Sequence, residues 1–208
     1  MPAPSSVLLL LLAATAPPKR PNMPVGWTWP PSPAMRAIGA ECTRALDEAE
    51  LSWRRGPATP KIATPVLLSP MTAGGVTLVP LRGKGSYPMD CHLARALHAV
   101  APSLVEQGVV ALGFRTLHEY RTVRKRGRST KILSRHAIGL AVDVFELHLD
   151  DGRVLQVERD WASEPRLAQA VAVFADSELF RTPLTPANDP HDHGDHVHLE
   201  AHMRIPLE

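Results

Sequence analysis

The sequence is short of cysteine, of aromatic side chains and of net charge. Cys42 and Cys91 are its two cysteines. They suffice for one disulfide in an exported chain, and spacing alone leaves their pairing open. Lys and Arg number 23 against 21 Asp and Glu, a formal net charge of +2, so no partner recognised by bulk charge is implied. Aromatic residues make up 5% of the chain. The longest apolar run, Val7 to Leu12 followed by Ala13 and Ala14, falls short of the ~20 residues that span a bilayer. What is present suits one globular domain: 208 residues can enclose a core, and 44% hydrophobic with 21% charged residues is ordinary for one.

The short apolar run has the form of a secretory h-region, with Ala14-Thr15-Ala16 as a small-residue cleavage site. Against this, no Lys or Arg precedes it and Pro17 would follow the cleaved bond. The expected organisation is a signal peptide over 1–16, a Pro-rich linker over 17–35 and a single domain over 36–208. The expected location is outside the cytoplasm, periplasmic or extracellular, with no transmembrane span in the mature chain. Proline, 21 residues in all, is dense in that linker and again at 183–190, where irregular backbone is expected. Trp27 and Trp29 are expected to pack onto the domain.

Hydrophobic periodicity divides the remainder. Ile38, Cys42, Ala45, Leu46 and Ala49 have helical spacing within 35–55, as do Leu93, Leu97, Val100 and Leu104. The second of these helices has Asp90 as N-cap and Gly108 as its stop. "ATPVLLSP" and "GGVTLVPL" read as short strands around the turn at Gly74 and Gly75, and "VVALGFRTL" as a third. "GLAVDVFELHL" alternates strongly. "DDG" then makes a hairpin turn, from which "RVLQVERDW" returns antiparallel. "EPRLAQAVAVFADSELF" reads as a helix and "DHVHLEAHM" as a last strand. The class is α+β, helices first, with a small, mostly antiparallel sheet around the polar motifs and flanked by helices.

Two of those motifs carry chemistry. In "SRHAIGLAVD", His136 and Asp143 lie on either side of Gly139, which permits a bend that lets their side chains converge. An imidazole and a carboxylate suit Zn2+, although a buried His–Asp hydrogen bond that orders a turn has the same spacing. "DPHDHGDHVHLE" places four of the ten histidines in residues 189–200. In a strand, His196 and His198 face one way and Val197 the other. One imidazole could bind the metal while the other lies beside its water, and Asp195 could move a proton. The bland alternative is a histidine-rich tail that binds metal adventitiously. His136, Asp143 and His198 together make three ligands, the number a catalytic zinc site takes while leaving one position open.

"SRHAIGLAVDV" is similar to the SxHxxGxAxD signature of the zinc peptidases that act on D-alanyl-D-alanine and related murein bonds, and "DHVH" to their late HxH-type motif. More closely, the chain resembles the bacterial extensin-like C-terminal domain proteins. The resemblance runs over about 36–202 through "ECTRALDEAEL", "VTLVPLRGKGSYPMDCHLARAL", "EYRTVRKRG", "LSRHAIGLAVDVFEL" and "HDHGDHVHLE". It implies a hedgehog/D-Ala-D-Ala peptidase-like fold. His136, Asp143 and His198 would be the zinc ligands and Asp195 the general base. His196 and Arg121 would stabilise the oxyanion, with Arg124 as an alternative to Arg121, and Ser134 would contact substrate. The implied activity is hydrolysis of peptide bonds in peptidoglycan stems or cross-links. Three departures stand out. Asp195 sits where Glu is usual, Arg135 where an acidic or small polar residue is common, and Tyr120 where a cysteine often precedes the arginine. The missing cysteines imply that any disulfide is rewired or absent.

"RTVRKRGRSTKILSR" carries seven cations and few aromatics. It reads as a solvated flexible loop or as a grip on an anionic wall polymer, with nucleic acid the poorer partner. Two alternatives to the peptidase remain. One is a non-catalytic, zinc-containing domain of the same fold that binds the cell wall or a partner protein. The other is a cytoplasmic metal buffer, which requires that the signal be misread.

Overall fold

A computed structural model describes residues 22–83 and 85–206. The expected signal peptide and the first part of the linker lie outside the described residues. Helix α1 (Pro33–Glu48) is followed by strands β1 (Trp53–Arg55), β2 (Pro65–Leu68), β3 (Thr72–Ala73), β4 (Val76–Pro80) and β5 (Met89–Asp90), then by helix α2 (Cys91–Glu106). Next come β6 (Val109–Thr116), a hairpin of β7 (Thr122–Lys125) and β8 (Arg128–Leu133), and a 3-10 turn over Arg135–Ile138. The chain ends with β9 (Ala141–Leu149), β10 (Val154–Gln156), the one-turn α3 (Val157–Asp160), α4 (Pro165–Asp176) and β11 (Val197–Glu200). No helix among the described residues is long and apolar enough to cross a membrane.

The class is α+β, and the main sheet has six strands. β9 is its spine. One edge of β9 pairs with β6, while the other pairs with β11 along its first half and β10 along its second. All pairings are antiparallel except β4 with β6, which run parallel because α2 makes the crossover between them. The helices are therefore interleaved with the strands rather than leading them.

The α2 caps agree with the sequence. The Asp90 carboxylate accepts from His92 N–H, and Gly108 takes a positive φ of 78° after the helix. Elsewhere tertiary pairing overrides the local pattern. The helical spacing of 35–55 stops at Glu48, and Trp53–Arg55 pairs with β2 instead. "RVLQVERDW" returns from its turn for only three residues before folding into α3. The cationic run is not a loop: its centre forms the β7–β8 hairpin.

β9 alternates only as far as Val144. The pairing jumps from Phe114–Val144 to Gly113–Glu146, so Phe145 is bulged. Val142 and Val144 before the bulge, and Leu147 and Leu149 after it, are all buried in the core. Asp143 is thereby left on the opposite face from Val142 and Val144. Over the apolar face, Val144, Leu147, Val197 and Leu199 meet Leu167, Ala170 and Phe174 of α4. Cys42 of α1 and Cys91 at the start of α2 form a disulfide, with Cα atoms 6.1 Å apart. The pairing that spacing alone left open forms, the rewired alternative of the two that the missing family cysteines implied. Trp27 is partly buried against the core, and Trp29 is exposed with Lys61 Nζ 5.3 Å from its ring centroid.

Candidate metal centre

Three local devices bring the site together. Ser134 caps the 3-10 turn by accepting the His136 N–H, which points the His136 ring inward. Gly139 ends that turn at φ 71°, and a Cβ there would stand 2.7 Å from the Asp90 backbone nitrogen. Only glycine meets both the left-handed conformation and the close approach. The β9–β11 register then sets His198 directly opposite Asp143, close enough for their side chains to meet.

The result is a buried cluster of two imidazoles and one carboxylate. His198 Nδ1 is 2.7 Å and His136 Nε2 3.1 Å from Asp143 Oδ1, and the two ring nitrogens are 3.2 Å apart. His136 is fully buried, and Asp143 and His198 nearly so. Each imidazole has its other nitrogen engaged: His136 Nδ1–H donates to the Leu117 carbonyl at 3.3 Å, and His198 Nε2–H to Glu200 Oε1 at 3.1 Å. With those tautomers, two lone pairs and a carboxylate oxygen face one point. Such an arrangement is repulsive unless a cation or a proton occupies it, and outer partners of this kind orient metal-binding histidines. His136, Asp143 and His198 could thus hold a metal ion.

Without a metal, a proton does the work. Burial disfavours the charged form of His198, but the Asp143 and Glu200 carboxylates outweigh it and hold its pKa at about 9. Burial would raise the Asp143 carboxyl, yet the His136 and His198 imidazoles keep it well below the usual carboxylate range. Glu200 is likewise opposed by burial but held at about 2 by its bond to His198, with Arg181 and Arg135 adding to it. Arg181 pairs with Glu200 directly. Arg135, the departure next to His136, turns away from the triad. It is buried with its Nε on the Asn22 carbonyl, and burial lowers its pKa to about 10.

The remaining histidine-loop residues line one side of the triad. His196 stacks on Phe145 with centroids 4.9 Å apart, and its Nε2 is 3.6 Å from Asp143 Oδ1. Its Nδ1–H donates to Asp195 Oδ1 at 2.7 Å. The other Asp195 oxygen is 3.9 Å from Arg115, whose guanidinium lies 3.9 Å from the Phe145 ring centroid. His193 packs against both His196 and His198 and donates from Nδ1 to Asp189 at 2.9 Å. Burial, then its histidine neighbours, push its pKa down.

Arg121 pairs with Glu119 at 2.8 Å, and its carbonyl accepts the Ser134 N–H. Its described polar contacts do not reach the triad. Arg124 is exposed on β7, and the Ser134 hydroxyl is engaged as a cap. Sequence reasoning missed Arg115 and Glu200, and gave His193 no role beyond that of a nearby metal-attracting group. Glu200 had a legible signal, since a strand places residues 198 and 200 on one face. Arg115 had none, because its proximity depends on the β6–β9 pairing.

Residues 40–207 match the family model described as Extensin-like protein C-terminus. No curated protein and no solved structure matches the chain.

Proposed function

The chain belongs to the extensin-like C-terminal family, and from that premise and the buried triad we propose that it is an exported zinc-dependent peptidase. Its substrate would be the peptide stems or cross-links of peptidoglycan, and its fold relationship the hedgehog/D-Ala-D-Ala peptidase group. The observation that carries this is the convergence of His136 Nε2, Asp143 Oδ1 and His198 Nδ1 with both tautomers already set. Two nitrogens and one oxygen are a zinc donor set. Tetrahedral ligands at about 2.0–2.2 Å stand about 3.3–3.6 Å apart, so separations of 2.7–3.2 Å need only a small outward shift. The disulfide is compatible with export.

A zinc ion held there would polarise a scissile carbonyl and make water nucleophilic at neutral pH. The chain's own groups would do the rest. Asp195, half-exposed beside the triad, would accept the proton from water and return it to the leaving amine. His196, oriented by its Nδ1 bond to Asp195 with Nε2 facing Asp143, would lie beside the oxyanion and stabilise it. Arg115, which lies beside Asp195 and Phe145, would bind the substrate carbonyl or carboxylate together with Arg121, the position the family resemblance implies.

One observation favours a non-catalytic, wall-binding domain instead: the Asp195 carboxylate is already shared between His196 and Arg115. The deciding experiment combines metal analysis with muropeptide digestion. The peptidase reading expects about one zinc per chain, lost in both His136→Ala and His198→Ala, and product formation abolished in a zinc-replete Asp195→Asn variant. Zinc binding with no cleavage by the unaltered protein would leave the binding reading. Zinc that survives His136→Ala would remove both.

A further inference from the structure

The β7–β8 hairpin is a two-stranded ribbon outside the main sheet. No acidic residue occurs in 121–135. Arg124, Lys125, Arg126, Arg128 and Lys131 are all exposed on it. Pairing sets Lys125 directly opposite Arg128, an arrangement in which like charges repel. Among the described residues none of these five has a carboxylate within ion-pair distance, whereas Arg115, Arg121, Arg153 and Arg181 each have one. Lys125, Arg126 and Arg128 join Ser129 and Thr130 around an open hollow of about 660 Å3. Every side chain lining it can donate a hydrogen bond and none is acidic, which is chemistry for an oxyanion.

The ribbon is tied to the metal centre at both ends. Leu133 runs directly into Ser134, the cap of the turn that carries His136. At the tip, the Arg126 backbone N–H donates to Asp192 at 2.8 Å. Asp192 belongs to the histidine loop, in which the neighbouring His193 packs on His198.

The geometry points to the β7–β8 hairpin as a docking arm that grips the carboxylates of peptidoglycan strands beside the metal centre, a partner that rests on the peptidase reading. Wall strands suit it better than nucleic acid. No aromatic residue lines the hollow to stack a base. The cations also lie on both faces, Lys125 with Arg128 on one and Arg124 on the other, rather than along one stripe.

The test is co-sedimentation of the zinc-loaded full chain with purified, protein-free peptidoglycan across a salt series. It is compared with the variant combining Lys125→Gln, Arg126→Gln, Arg128→Gln and Lys131→Gln. The unaltered protein should sediment at low salt and release as the screening length falls to about 8 Å near physiological ionic strength. The variant should bind about tenfold more weakly, with zinc content and thermal stability unchanged. Equal binding by the variant, or no binding by the unaltered protein at low salt, overturns the proposal. So does tighter binding to duplex DNA that the same variant loses, which reassigns the arm to nucleic acid. Arm-dependent sedimentation with no cleavage of soluble muropeptides supports the arm while removing the peptidase.

Discussion

Glu200 shows how one side chain acts through another. Its carboxylate fixes the His198 tautomer and is itself held ionised, against burial, by that imidazole and by Arg181 and Arg135. Glu200→Gln keeps the shape but removes the charge, and metal affinity should fall about 10–100-fold, measured by competition with a chromophoric chelator. His198 carries a pH signature. In the metal-free protein its pKa is raised from 6.5 to about 9. Its contribution to stability is therefore fully present below pH 6.5 and is lost as pH rises through about 9. Thermal melts in excess chelator should show the midpoint falling across that window. With saturating zinc the gap between the two forms should widen over the same window, because the metal displaces a proton that is by then leaving. A metal-free midpoint that stays flat would show that His198 is not the proton carrier.

At the scale of elements, the site depends on one turn and one register. The 3-10 turn ends at Gly139 against the Asp90 backbone. Gly139→Ala should cost about 1–3 kcal/mol from the left-handed conformation alone, and more from the clash. It should also weaken metal binding, because His136 rides on that turn. Calorimetric stability and zinc titration of the same variant would check both. The register of β11 on β9 sets His198 opposite Asp143, and a slip of one residue would turn His198 toward α4. Both elements were legible in outline: "GLAVDVFELHL" and "DHVHLEAHM" alternate as strands, and Gly139 lies between two polar residues. The bulge at Phe145 was not legible, since nothing in the β9 sequence marks the point at which β6 shifts its pairing.

For the whole molecule, the Cys42–Cys91 bridge joins α1 to the start of α2 across 49 residues. Closing a loop of that length restricts the unfolded chain by about 4 kcal/mol in the chain-entropy account. A Cys42→Ser, Cys91→Ser double variant should therefore unfold at clearly lower denaturant and with a steeper slope, because the unlinked unfolded chain exposes more surface, as measured by equilibrium unfolding of the metal-loaded protein. Cys91 directly follows Asp90, whose amide Gly139 approaches. The bridge thus braces the same corner that carries His136, and the variant's zinc affinity should drop with its stability.

What the sequence determined by itself is local chemistry. The caps of α2, the turn at Gly139, the alternation of the strands and the identities of His136, Asp143 and His198 follow from residue type and spacing, which act over a few residues. What only the tertiary structure decided depends on pairing between distant segments. The parallel β4–β6 crossover and the strand that replaced the end of the first helix are of this kind. So are the hairpin made from the cationic run and the approach of Arg115 to Asp195. Long-range pairing satisfies backbone groups and buries apolar faces whose partners lie far along the chain, so no local pattern records it.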